Sequence, residues 1–128
     1  MSRYVVGKVV YNDLPMLAEC LEDIFGRGSV IRCEDGENRT IAYDYHGNNR
    51  EHEIGKVAAV VHRDKIGPAS NDIAIRKERD GTYRLIISVY DEMVLRGRLN
   101  VQADRQPQVV IAQRYGDAVV RSKFNALG

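Results

Sequence analysis

The clearest alternation of apolar and polar positions in this chain covers residues 71–90, NDIAIRKERDGTYRLIISVY. Two alternating runs flank Asp80-Gly81, and an Asp-Gly pair between such runs is a strong signal for a β-hairpin. A three-residue loop, Arg79 to Gly81, places Glu78 opposite Thr82 and puts the glycine in a left-handed position. We favour this register because a shift by one residue would mix the two faces. The apolar face then consists of Ile73, Ile75, Tyr83, Leu85, Ile87 and Val89.

The other face of the predicted hairpin carries most of its polar side chains, and we expect it to lie on the outside. Its members are Asp72, Ala74, Arg76, Glu78, Thr82, Arg84, Ile86 and Ser88. An outward Ile86 beside Arg76 and Arg84 offers a surface for self-association or for a partner protein. These three residues are the predicted interaction face.

Two segments show the three- and four-residue spacing of an amphipathic helix. The first begins after Asp13, a good N-cap residue, has Pro15 in its first turn and ends at Gly26. Its inner stripe is Leu14, Leu17, Ala18, Leu21, Ile24 and Phe25. The second covers residues 108–127, and its inner stripe is Ile111, Tyr115, Ala118, Val119 and Ser122. Gly116 lies inside the second helix, where glycine costs about 1 kcal/mol relative to alanine; close packing against another backbone would explain it.

Further short strands are predicted from β-rich runs separated by turn residues. They cover residues 4–11, 29–33, 40–45 and 55–62. The first is apolar on both faces, which predicts a central strand. Residues 46–53 are the most polar stretch and fit a loop or a distorted edge, and residues 63–70 fit another loop. Residues 92–106 fit either a strand broken at Gly97 or a short helix.

The resulting order, β-α-β-β-β-β-β-α, predicts one α+β domain over residues 1–128. Strands clustered between two helices indicate a mainly antiparallel sheet of about five or six strands with two helices packed on one face. A chain of 128 residues can bury a normal hydrophobic core. Its content of 44% apolar and 29% charged residues is typical of soluble globular proteins.

Charge and cysteine content narrow the class of protein. With 19 basic and 18 acidic residues, a net charge of +1 gives no general attraction to nucleic acid or to membranes. Cys20 and Cys33 predict buried free thiols rather than a disulfide framework. The first residues already alternate like a strand, and no secretory signal or membrane-spanning run is visible. We therefore expect a cytoplasmic protein with no membrane partner.

Three segments, in order along the chain, resemble one known family. The first runs from Met1-Ser2-Arg3-Tyr4 with Lys8 to Asp13-Leu14, Leu17, Leu21-Glu22-Asp23 and Gly26. The second is Asp72-Ile73-Ala74-Ile75 with Asp80-Gly81-Thr82-Tyr83 and Leu85. The third is Gln113-Arg114-Tyr115 with Val119, Val120 and Leu127-Gly128. Together they are similar to the Ycf35-like family of small proteins, although Val89-Tyr90 stands where that family usually has a tryptophan.

The family resemblance implies a function only in outline. Members of the Ycf35-like family have no established activity, look like small soluble accessory proteins and often occur beside AAA-type ATPases. The resemblance therefore implies an accessory or protein-interaction protein without catalytic activity of its own, with an AAA-type ATPase as a candidate partner.

The candidate metal ligands are His46, His52 and His62. Histidines close to carboxylates can bind a divalent ion or act as acid and base. The nearby carboxylates are Asp44, Glu51 and Glu53. The spacing of the histidines matches no standard metal signature, however, so a solvated loop with incidental histidines competes with this hypothesis. No catalytic residue and no cofactor is predicted, because no nucleophile turn or nucleotide fingerprint is present.

Nucleic acid binding is the alternative to protein interaction. Arg76 and Arg84 on an exposed sheet face, together with tyrosines, would resemble the stacking and phosphate-binding surface of RNA-binding sheets. Asp72 and Glu78 share that face, however, and exposed strands commonly carry charged residues that protect their edges. We favour protein interaction because it requires no motif that the chain lacks.

Overall fold

The structure is a computed structural model that describes residues 2–128. Its helices are α1 (Leu14–Phe25), α2 (Glu51–Ile54), α3 (Glu92–Leu99) and α4 (Pro107–Leu127). Its strands are β1 (Tyr4–Val6), β2 (Val30–Arg32), β3 (Ala59–Val61), β4 (Ile73–Lys77) and β5 (Tyr83–Ser88). Short 3-10 turns follow β3, at Arg63–Lys65, and β5, at Val89–Asp91. These elements form the α+β fold that the sequence predicts.

The hairpin of β4 and β5 forms in the predicted register. Ile75 lies opposite Leu85, and the loop closes where the N–H of Glu78 donates to the carbonyl of Thr82 at 2.7 Å. Gly81 has a φ of +87°, the left-handed conformation that a three-residue hairpin loop requires. The pairing therefore fixes which side of the sheet each side chain of these two strands faces.

The five strands form one antiparallel sheet in the order β1-β5-β4-β3-β2. The prediction that the first strand is central is wrong, because β1 lies at an edge and ends at Val6. The side chain of Gln108 donates to the carbonyl of Leu85 at 3.0 Å and occupies the place that a Cβ on Gly7 would take. A side chain at Gly7 would therefore clash with Gln108. After Gly7 the chain bulges away from β5 and pairs with it again at Tyr11.

Helices α1, α3 and α4 cover one face of the sheet. The odd positions of the hairpin point toward these helices as predicted, and Ile73, Ile75 and Leu85 are fully buried. Three helices lie on this face rather than the expected two, because residues 92–99 form α3, whose Leu95 and Leu99 enter the core. Full burial of one such side chain is worth about 1.5–3 kcal/mol. This cluster is the larger of the two in the described chain and supplies most of its apolar burial.

The other face of the sheet is partly covered, which corrects the prediction for Ile86. Ile86 and Ala74 are fully buried rather than exposed, and they pack with Val60 in a second cluster. The cover comes from residues 40–57, and the side chains that it contributes are Ala42, Ile54 and Val57. The strand predicted at residues 40–45 is also wrong, because this segment folds over the sheet and makes isolated bridges instead of a continuous ladder. The loop predicted at residues 46–53 contains most of α2.

Both long helices begin where their sequences indicate. The carboxylate of Asp13 accepts the N–H of Met16 at 3.0 Å, which caps α1, and Pro15 lies in its first turn. The helix ends at Gly26, whose N–H donates to the carbonyl of Glu22 at 2.8 Å. Helix α4 begins at Pro107, one residue before the predicted start.

We expect Gly81→Ala to lower the free energy of unfolding by about 1–2 kcal/mol. A Cβ at Gly81 has open space around it, so the loss comes only from the left-handed backbone. Gly97→Ala is the matched control, because Gly97 also has open space but lies inside α3, where alanine is favoured by about 1 kcal/mol. Chemical denaturation measures both variants, and equal effects of the two substitutions would contradict the prediction.

Candidate functional site

The residues of the predicted interaction face make their contacts within the chain itself. Arg76 and Arg84 both pair with Glu78, each at 3.3 Å, and Arg84 also donates to the carbonyl of Gly7 at 3.0 Å. Ile86 is buried beneath residues 40–57. The three predicted residues therefore do not form one exposed surface. The nucleic acid hypothesis is weakened for the same reason, since phosphate binding needs guanidinium groups that are available to a ligand.

The three histidines have separate local roles. His46 packs against Tyr45 with ring centroids 4.0 Å apart, and His52 is exposed on α2. The Nδ1 atom of His62 accepts the N–H of Asp64 at 3.1 Å and caps the 3-10 turn after β3. Across residues 2–128, no three His, Cys, Asp or Glu side chains lie close enough together to hold a metal ion. The arrangement therefore gives the metal hypothesis no support.

A junction of buried polar side chains lies where β4 begins. Asp72 is only 1% exposed; its Oδ2 accepts the N–H of Tyr43 at 2.9 Å, and its Oδ1 accepts the N–H of Arg63 at 2.8 Å. One carboxylate thus ties both the covering segment and the turn after β3 to the central strand. The Arg63 guanidinium lies 3.5 Å from this carboxylate and 5.9 Å from the centre of the Tyr43 ring.

Asn71 and Asp91 form the second half of this junction. The Oδ2 atom of Asp91 accepts both the backbone N–H of Asn71, at 3.0 Å, and its side-chain amide, at 3.2 Å. The amide oxygen of Asn71 in turn accepts the N–H of Tyr45 at 2.9 Å. Burial raises the pKa of the Asp91 carboxyl above its usual value, although the hydrogen bonds from Asn71 oppose the shift. The start of α3 is therefore tied to the same covering segment.

Asp44 shapes the loop that follows Tyr43. Its Oδ1 accepts the N–H groups of His46 and Asn48, each at 2.9 Å, and the Arg50 guanidinium lies 3.7 Å from its other oxygen. Burial opposes ionisation of this carboxyl, but the hydrogen bonds outweigh burial and hold the pKa of Asp44 below its usual value. The loop is consequently held by a charged group rather than by a β-ladder.

A cleft of about 310 Å³ opens beside the junction, on the outer face of the sheet. Ile31 and Val60 line its apolar part, and Tyr43, His62 and Arg63 line its polar end. We call this space the Tyr43 cleft. Its volume falls at the lower end of the roughly 300–1,000 Å³ that small-molecule sites occupy.

Helix α4 presents a different kind of surface. It is 21 residues long, about 31 Å, but only its first turns are deeply buried. Farther along, the ring of Tyr115 packs edge-on against Tyr11, with centroids 4.8 Å apart, and its hydroxyl accepts the N–H of Asp13 at 3.1 Å. These contacts fix the side of α4 that faces α1 and leave the opposite side open.

The open side of α4 carries a row of exposed residues at intervals of three or four positions. Its members, which we call the outer stripe, are Val109, Gln113, Gly116, Val120, Phe124 and Leu127. Phe124 is 75% exposed and Leu127 is 89% exposed. Scattered exposed apolar residues are normal, but a row along one helix face is typical of an interaction surface. Within residues 2–128, no helix combines the length and apolarity that crossing a membrane would need, α4 included.

Gly116 lies in the middle of the outer stripe without a contact that requires glycine. A Cβ added at this position would meet no neighbouring atom within 4 Å in the part of the chain that the structure describes. The close packing predicted for this glycine is therefore not made inside residues 2–128.

Sequence reasoning identified the inner side of α4 and missed the outer stripe. A signal was present, because Val120, Phe124 and Leu127 repeat at helical spacing on the side opposite Tyr115. Apolar residues on two sides of one helix are typical of a helix that packs against two partners. The burial of Asp72, by contrast, has no signal in the local pattern, because its cover comes from a segment about thirty residues earlier.

Comparison with protein-family models, with curated proteins and with solved structures gives no match to this chain. The resemblance to the Ycf35-like family consequently stays a prediction.

We expect Asp72→Asn to lower the free energy of unfolding by about 1–3 kcal/mol. Each carboxylate oxygen of Asp72 accepts a different backbone N–H, so the amide group of asparagine leaves one of these donors without an acceptor. Asp91→Asn is the control, because a single oxygen of Asp91 accepts both hydrogen bonds from Asn71 and an asparagine can keep them. Thermal and chemical denaturation measure both variants; a larger loss for Asp91→Asn would show that the junction does not work in this way.

Proposed function

We propose that this chain is a small accessory protein that acts through protein–protein contact, and that two copies of it pair through the outer stripe of α4. The observation that carries the proposal is Gly116, an exposed mid-helix glycine inside a row of exposed apolar side chains. Such a glycine weakens the helix by about 1 kcal/mol. A second helix that approaches closely at this point would offset that loss, since helix backbones come nearest where side chains are small.

The outer stripe is complementary to itself in an antiparallel arrangement. Two-fold pairing centred between Gly116 and Val120 sets Val120 of each copy over Gly116 of the other. The same register sets Phe124 against Gln113 and Leu127 against Val109 of the second copy. Large side chains thus meet small or flexible ones along the row, as ridges meet grooves in packed helices. Asp117, Val120 and Arg121 line a shallow depression beside Gly116 that could receive a side chain of the other helix.

Charge supports the same register. Asp117 and Arg121 flank the outer stripe on one side, and within residues 2–128 neither of them forms an ion pair. Antiparallel pairing brings Asp117 of each copy beside Arg121 of the other, so opposite charges meet twice at the rim. Rim pairs of this kind contribute little affinity but favour one orientation over others.

The size of the surface sets the strength of the pairing. The outer stripe covers about five turns of one helix, and a single helix of this length buries less than the roughly 800 Å² per partner of a standard protein interface. We therefore expect a reversible dimer with a dissociation constant on the order of 10–100 µM. The family resemblance also implies an AAA-type ATPase as a further partner, and that partner stays a prediction.

We expect Phe124→Gln to weaken self-association at least about tenfold while leaving the fold intact, because Phe124 is 75% exposed and makes no core contact. Met93→Gln is the matched control, because it also replaces an exposed apolar side chain with glutamine. Met93 is 82% exposed and lies on α3, outside the outer stripe. Sedimentation equilibrium over a range of concentrations measures both. A wild-type chain that stays monomeric at millimolar concentration would overturn the proposal.

Gly116→Leu distinguishes helix pairing from adsorption to a lipid surface. Leucine favours the helix more than glycine does, so we expect a more stable monomer. Its side chain enlarges the apolar area but prevents a second helix from coming close at Gly116, so we expect weaker self-association. Gly97→Leu, which changes another exposed helical glycine outside the outer stripe, should leave self-association unchanged. Vesicles of anionic phospholipid provide the contrast. If the chain does not dimerise in solution, and if Gly116→Leu strengthens its binding to these vesicles, the result would favour a membrane role over the proposed one.

A further inference from the structure

The polar end of the Tyr43 cleft carries hydrogen-bond donors that a ligand could use. The Nδ1 atom of His62 already accepts the N–H of Asp64, so the neutral ring carries its proton on Nε2 and presents a donor. Arg63 has five guanidinium N–H groups and uses one of them in a long contact of 3.5 Å with Asp72. Both oxygens of Asp72 accept hydrogen bonds from Tyr43 and Arg63. Donors are thus available at this end of the cleft, while its one carboxylate is engaged.

The charge around these donors favours a ligand with one negative charge. Among residues 2–128, Arg63 is the only arginine or lysine that lines the cleft, and the Asp72 carboxylate beside it offsets part of its charge. Asp64 stands 3.6 Å from His62 as well. A doubly charged phosphate would be repelled by these two carboxylates, whereas a carboxylate matches the planar fork of a single guanidinium.

The rest of the cleft is suited to an apolar group. Ile31 is 52% exposed although it lies on a strand, and its side chain borders the cleft together with Val60 and Ile41. The ring of Tyr43 adds a flat wall, with the Arg63 guanidinium 5.9 Å from its centre. A pocket with an apolar body and a few donors at one end is the usual form of a small-molecule site.

We propose that the Tyr43 cleft binds a small carboxylate with an apolar body, such as an aryl or branched-chain acid. The carboxylate lies against Arg63 and His62, and the apolar body lies over Ile31 and Val60. This site is separate from α4, on the opposite face of the sheet, and does not depend on the proposed dimer.

Titration of the ¹⁵N-labelled protein with benzoate tests the proposal. Benzoate is expected to shift the amide signals of residues 40–47 and 60–63 with a dissociation constant on the order of 1–10 mM. Benzyl alcohol lacks the charge and acetate lacks the apolar body, so each should bind at least about tenfold more weakly. Equal shifts with acetate and benzoate, or shifts confined to other residues, would overturn the proposal.

Two variants and a control assign the binding to the cleft. Arg63→Gln, which can still donate to Asp72, should weaken benzoate at least about tenfold. Arg79→Gln removes the same charge from the hairpin loop at the far end of β4 and should leave binding unchanged. Ile31→Ala changes a half-exposed side chain and should weaken benzoate but not acetate. Benzoate binding that Arg63→Gln leaves unchanged, or that Arg79→Gln weakens equally, would contradict the assignment.

Discussion

The fold depends on the antiparallel pairing of β4 and β5, because these strands lie inside the sheet and both of their faces are used. The tight loop at Gly81 fixes the register, and the register sends Ile73, Ile75 and Leu85 toward three helices. The same alternation sends Ala74 and Ile86 to the other face. A slip by one residue would exchange the two sets and expose the larger core. Strands β1 and β3 pair directly with this hairpin, and the two hydrophobic clusters form on the two faces that it defines.

The second face explains why buried carboxylates collect at the start of β4. Residues 40–57 cover apolar side chains without joining the sheet as a regular strand, so their backbone N–H groups lose water and gain few ladder partners. Buried N–H groups need acceptors. Asp72 and Asn71 supply acceptors to Tyr43 and Tyr45, and Asp44 does so within the loop itself. Buried polar side chains thus replace strand pairing where an irregular segment lies over a sheet.

The parts of the fold that could be predicted are those set by contacts close in sequence. The hairpin register, the cap of α1 at Asp13 and the span of α4 depend on neighbouring residues, and each agrees with its pattern. The exposure of Ile86 was predicted wrongly, because a segment about thirty to forty-five residues earlier folds over it. The edge position of β1 follows from its pairing with β5 alone, about eighty residues later in the chain, which the local pattern does not encode. The Tyr43 cleft could not be predicted for a similar reason, since its walls come from β2, β3 and the covering segment together.

The two candidate surfaces lie on opposite sides of the sheet, and this separation determines how they could influence each other. Helix α4 belongs to the layer that packs on Ala59 and Val61 of β3, whereas Val60 of the same strand lines the Tyr43 cleft. A partner on the outer stripe therefore does not cover the cleft, and a ligand in the cleft does not touch α4. Coupling between two sites requires a second arrangement of the structure that both ligands distinguish. If two copies pair through α4 as proposed, both clefts stay open, and the dimer would hold two equivalent ligand sites rather than one that pairing creates.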